Sequence, residues 1–187
     1  GIAFLLQFVV SLIFKSKLPQ RVIWIYGIVL FLVAIQGVLG GLTVLKLLPS
    51  VVVTAHLAIA LILVTLMSSV SQILLQENPS TAPRWWTPFA LSSLFLVVSQ
   101  CLVGGRMATT WSSQKCLLEG KVCHLLDLHM LFAIPVTLFL LMFVITSLSS
   151  EGWTRNQWPF LTLVFALVSV QIFLGITSVH FGLSKPV

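Results

Sequence analysis

Apolar residues run along this chain in long unbroken stretches, separated by short polar punctuation and without the two-residue alternation of a half-buried strand. A membrane-spanning helix takes about 20 mostly apolar residues. Runs of that kind lie at 22–45, 51–75, 89–105, 125–148 and 158–183, and each is apolar on all faces. The connectors "KSKLPQR", "LKLLPS", "QENPSTAPRWWTP" and "SSEGWTRNQWP" carry the Gly, Pro and Ser that break helices. A longer polar loop, holding Cys116, joins Arg106 to Cys123. The pattern predicts an all-α, polytopic transmembrane helical bundle with five full spans. The opening run, 1–14, is too short to span and has no basic leader, so it reads as a truncated helix and not as a signal peptide.

Composition fixes the solvent. The chain is 58% hydrophobic and 7% charged, with a mean hydropathy of +1.11, whereas soluble domains carry about 25% charged residues. The net charge of +6 is spread over connectors on both sides of the bundle. No basic patch is interleaved with aromatics, so nucleic acid is not an expected partner and the lipid bilayer is. Lys15, Lys17, Arg21, Arg84 and Arg155 fall on one side; Lys46, Arg106, Lys115, Lys121 and Lys185 fall on the other. The first set is the denser, and Trp24, Trp85, Trp86, Trp153 and Trp158 form an interfacial belt beside it, so that side is assigned to the cytoplasm. Cys116 and Cys123 then lie in an outer loop, where an oxidising compartment lets thiols pair.

A short pattern recurs. Gln36 precedes Gly40, Gln100 precedes Gly104 and Gln171 precedes Gly175, each at four residues and each in a helix heading toward the outer side. Small residues at such positions let membrane helices pack closely. Superposing Gln36 on Gln171 shifts the chain by 135 residues and aligns the opening run with the second half of 125–148. Two related halves are expected, 1–76 and 77–187.

Two histidines enter spans from the outer side, His56 about 10 Å beyond Pro49 and His129 at a comparable depth. Polar side chains inside a bilayer are costly, and a histidine hydrogen-bonded across helices is the structural alternative to a functional one. Under the 135-residue shift, the image of His129 falls before Gly1 and that of His56 falls after Val187. If the repeat continues, there are two histidines per half, and the chain is expected to be a fragment lacking both ends. Paired imidazoles on facing helices of an apolar bundle are what a six-coordinate haem requires.

The remaining polar candidates are less telling. His124 sits on a different helix face from His129, and His180 breaks the repeat. Arg106, at an outer helix end, is placed to hold a haem propionate or to snorkel to lipid headgroups. Asp127 is a candidate to orient His129 or to cap its helix. Cys101 is expected to be a buried small hydrophobe. No phosphate-binding glycine loop and no nucleophile with a paired base is present, which leaves hydrolase and ATPase readings without support.

The stretch "QGVLGGLTVLKLLPSVVVTAH", the loop with Cys116 and Cys123, "LLDLHMLFAIPV" and the closing "QIFLGITSVHFGLSKPV" together resemble the haem A synthase family, nearly end to end. The resemblance implies eight helices in two pseudosymmetric four-helix halves. One half holds a haem b cofactor, and the other receives haem O, whose ring methyl is oxidised to the formyl of haem A for terminal oxidase biogenesis. It matches His56 to an axial ligand of the amino-terminal, substrate-haem half and His129 to an axial ligand of the haem b half. Cys116 and Cys123 match a cysteine pair of the outer loop, expected as a structural disulfide with two free thiols as the alternative.

The sequence also departs from the family. Met130 follows His129 where arginine is common, and the carboxylate of an E-x-x-H-R motif would fall before Gly1. No catalytic residue is therefore assigned within the chain, and the chain by itself is expected to be inactive. Implied partners are haem O and haem A, haem O synthase, terminal oxidase assembly and an electron partner that the sequence does not identify. The implied location is the bacterial plasma membrane, multi-pass. The alternative function is a di-haem b-type membrane cytochrome relaying electrons to or from quinone, a non-enzymatic role. A transporter is weaker, because the repeats share one orientation.

Overall fold

The computed structural model describes residues 1–75, 83–111, 115–116, 119–120, 123–150 and 157–178. Six helices form among these residues, with no strand: α1 (Ile2–Ile13), α2 (Gln20–Leu45), α3 (Ser50–Leu75), α4 (Trp86–Thr109), α5 (His124–Ser149) and α6 (Trp158–Thr177). Helices α2 to α6 are long and apolar enough to cross a membrane, with mean window hydropathies of 2.5, 2.4, 1.6, 2.5 and 2.3. The all-helical polytopic reading thus holds. The 12-residue α1 is shorter than a span, as its sequence length predicts. Helix α6 ends at Thr177 with Ser178 as its C-cap, and residues 179–183 of the expected 158–183 run lie outside the described residues, as do Lys121, Trp153, Arg155, His180 and Lys185.

The chain divides into two compact units, Gly1–Pro79 and Ser80–Val187. In the first, α2 packs on both α1 and α3. Helix α2 starts after Pro19, whose fixed φ ends the preceding turn, and stops at Lys46. There Leu47 and Leu48 take left-handed φ values of 53° and 62°, a conformation that costs a non-glycine residue about 1 kcal/mol. The Leu48 amide donates to the Thr43 carbonyl at 2.8 Å, which caps an otherwise orphaned helix end. So short a reversal makes α3 antiparallel to α2.

In the second unit α5 packs on α4 and on α6. An aromatic cluster fastens the first turn of α4 to the second half of α5: Trp86 stacks on Phe143 with centroids 4.8 Å apart, and Phe89 lies 6.1 Å from Phe139 and 5.9 Å from Phe143. Pro135 lies inside α5 and Pro159 in the first turn of α6, where a missing N–H is harmless.

Buried side chains among the described residues are few: Ser11, Val22, Val29 and Val70 in the first unit, and Ser93, Leu126, Val136, Val144, Ser147 and Leu161 in the second. Val22, Val29 and Val70, and Ser93 and Val136, fall on one register in each unit. On α2, positions 22, 29 and 36 are seven apart, and antiparallel α3 presents 70, 63 and 56 at the same levels. On α4, positions 86, 93 and 100 match 143, 136 and 129 of α5 in the same way. A seven-residue repeat between antiparallel helices is the shallow-angle packing of coiled coils and bundles. Most large apolar side chains face outward, such as Phe31 at 66% and Phe95 at 71% exposure, as a lipid solvent permits.

Candidate functional site

The third layer of each register holds the same pair of residues. In the first unit the Gln36 Nε2 donates to the main-chain carbonyl of His56 at 2.9 Å. In the second, the Gln100 Nε2 donates to the carbonyl of His129, also at 2.9 Å. Each bond joins two spanning helices through a carbonyl that is already within a helix, so the histidine's turn is tied to its neighbour in depth and rotation.

One turn beyond each glutamine stands its glycine, and the histidine ring lies against it. A Cβ built on Gly40 would come 3.7 Å from the His56 Cε1, an ordinary contact. A Cβ on Gly104 would come 3.0 Å from the His129 Cε1 and 3.5 Å from its Nδ1. A side chain at position 104 would therefore press on the imidazole, which would have to give by a few tenths of an ångström. The second site is also tighter at the amide, with the Gln100 Nε2 3.4 Å from the His129 Nε2.

Among the described residues, four side-chain polar atoms are buried without a hydrogen-bond partner: Gln36 Oε1, His56 Nδ1, Gln100 Oε1 and His129 Nδ1. All four belong to these two pairs. No group of three His, Cys, Asp or Glu side chains converges as a metal cluster would, again among the described residues. One imidazole per hairpin, half-buried and with its Nδ1 free of protein partners, suits a haem ligand better than a cluster. An open apolar groove of about 490 Å³ between α4 and α5 is lined by Leu91, Ser92, Phe95, Leu96, Pro135 and Phe139. Leu96 is one turn below Gln100, so an apolar wall begins next to the second pair.

The other expected residues are distributed around these pairs. Arg106 is exposed in the last turn of α4, where a cation complements the helix dipole. His124 opens α5 and is exposed. Asp127 lies exposed in the first turn of α5; it forms no side-chain cap, and it does not hold His129, whose Nδ1 has no partner. Met130 is exposed beside His129. Cys116 and Cys123 form a disulfide with Cα atoms 4.7 Å apart, so the free-thiol alternative falls. Gly120 turns the enclosed loop at a φ of 66°, and Cys123 is the N-cap of α5. Cys101 is exposed on α4 and is not the buried residue expected. It is flanked in the register by positions 100 and 104, which face α5 and leave it on the outside of the helix.

The role of the glutamines was not legible from the three Gln-x-x-x-Gly copies taken as helix-packing motifs. The signal was there in combination. Each of the first two copies is followed, on the next helix, by a histidine at the same level of the hairpin. For Gln171, exposed on α6, no partner is found among the described residues.

Among known families, that of the cytochrome oxidase assembly proteins, COX15-CtaA, matches the chain over residues 1–187. No curated protein and no solved structure matches it.

Proposed function

Because the chain belongs to the COX15-CtaA family of cytochrome oxidase assembly proteins, the haem A synthase family, we propose that it serves haem A biosynthesis by oxidising the ring methyl of haem O to the formyl of haem A. The observation that carries this reading is the duplicated glutamine–histidine pair, one in each unit, with the Nδ1 of each imidazole buried and unpartnered. The two units then correspond to two halves, 1–76 with the substrate haem and 77–187 with haem b. His56 ligates the first and His129 the second. Bound haem supplies iron-centred oxidative chemistry.

The protein's own part is ligation, orientation and exclusion of water. Gln36 and Gln100 fix the depth of each histidine. The apolar α4–α5 groove offers a dry wall for a porphyrin face. Arg106, at the end of α4, pairs with a propionate by a charge-assisted bond. The tighter packing of His129 against Gly104 suits a resident haem, and the looser packing of His56 suits one that arrives and leaves. The setting is a plasma membrane crossed several times, with the disulfide loop outside. Haem O synthase, the terminal oxidase under assembly and an electron donor are its partners.

The test is to express the full-length protein in membranes supplied with haem O and to separate the extracted haems by mass. A product heavier by one oxygen and lighter by two hydrogens is expected. Haem that cycles between oxidation states while haem O stays intact would instead point to an electron relay and overturn the synthase reading.

A further inference from the structure

We propose that Gln36 and Gln100 are positioning residues for the two histidine ligands: each grips the histidine's main-chain carbonyl through Nε2 and offers Oε1 as the acceptor for that histidine's Nδ1–H. The inference rests on the ligand reading above and adds to it the residues that orient each imidazole.

The carbonyl of His129 can only accept, so the amide end of Gln100 that faces it at 2.9 Å must be the nitrogen. Oε1 is thereby aimed away from the carbonyl, and it is buried without a partner. The same holds for Gln36 against His56. A neutral imidazole that binds iron through Nε2 carries its proton on Nδ1, which becomes a donor. Metal-bound histidines almost always give that proton to a carboxylate, carbonyl or water that fixes the ring. The main-chain carbonyls of the preceding helical turn already serve the helix. Among the described residues, the one buried, unpartnered side-chain acceptor in each hairpin is the glutamine Oε1, paired with one buried, unpartnered Nδ1.

In the second pair the amide is already at the ring, with Gln100 Nε2 3.4 Å from His129 Nε2. A turn of the imidazole about its side-chain bond releases Nε2 from the amide and brings Nδ1 toward Oε1. The absence of a side chain at Gly104 gives the ring room for this turn. An apolar residue in place of glutamine would retain the span but leave the Nδ1 proton unmatched. The ligand would then donate less electron density to iron, and haem would be held less tightly.

The full chain is purified in detergent and titrated with haemin, in a His56→Ala background so that one site is read. Affinity and midpoint potential are measured, with helicity followed by circular dichroism. Gln100→Leu is expected to weaken haemin binding by about 10- to 100-fold and to raise the midpoint potential. Gln100→Glu loses the donor to the His129 carbonyl but keeps an acceptor for Nδ1–H, so it should bind haemin more tightly than Gln100→Leu does, with a potential equal to the parent's or lower. The Gln36 variants should repeat this in a His129→Ala background. Gln100→Leu with parental affinity and potential overturns the proposal, as does an equal shift in the same direction by Leu and Glu, which a packing role alone would give. Should Gln100→Leu fail to fold, the Glu variant decides: a raised potential there overturns the proposal. If the His56→Ala, His129→Ala double variant binds haemin as the parent does, the ligand reading itself falls, a result independent of either glutamine.

Discussion

The carboxamide of Gln100 on α4 donates to the main-chain carbonyl of His129 on α5 at 2.9 Å, at the level where a seven-residue register between the two helices ends. Two layers below it, the Trp86–Phe143 stack closes the other end of the same register. Between them Ser93 and Val136 are buried at one level. The histidine is thus held at a depth set by three layers of packing, and the same layering recurs in α2 and α3 with Val22, Val29 and Gln36. Repetition of a costly polar layer in two hairpins argues for a shared function more strongly than either histidine does alone.

The glycines beside the two rings predict unequal effects. Gly104→Ala must displace the His129 imidazole by a few tenths of an ångström and should destabilise the hairpin by about 1–3 kcal/mol. Gly40→Ala makes an ordinary contact and should cost less than about 0.5 kcal/mol. Denaturant unfolding of the two variants in one detergent checks this; equal losses would contradict the asymmetry.

The outer-loop disulfide closes a short ring at the start of α5. Cys116→Ser should lower the unfolding free energy by about 2.5 kcal/mol, from the chain-entropy expression for the residues enclosed. The helical spans should persist. Denaturation with and without a thiol reductant measures it, and the Ser variant should be insensitive to the reductant.

Removing one ring of the aromatic cluster tests the lower end of the register. Phe143→Leu loses the stack on Trp86 and should cost about 1 kcal/mol. Because Trp86 reports on this contact, its fluorescence should change in the folded state as well. An unaltered spectrum with unaltered stability would show that the stack does not hold α4 to α5.

Much of this was legible in the sequence, for a physical reason. Hydropathy reports the solvent of each segment, so the five spans and the short first helix follow from apolar runs alone. The weakest, α4 at 1.6, is the one that carries Ser92, Ser93, Ser99, Gln100 and Arg106. Hydropathy does not report which face meets which neighbour, because helices apolar all round have no preferred side. The pairing of Gln36 with His56 and of Gln100 with His129 therefore needed the hairpin register, although the seven-residue spacing of Val22, Val29 and Gln36 hints at it. The same blindness put Cys101 inside, when it faces out one residue after Gln100. The histidines stood out because burying them is expensive, whereas the glutamines that hold them passed for companions of small residues.

The central claim is that His56 and His129 each ligate a haem in its own unit. Reduced-minus-oxidised spectra of membranes carrying the protein, compared with His129→Ala and His56→Ala, test it most directly. In the full-length protein, His129→Ala is expected to remove the low-spin b-type signal while the protein stays in the membrane. His56→Ala is expected to keep that signal and to abolish haem O binding and haem A formation. Spectra and product unchanged in both variants would contradict it.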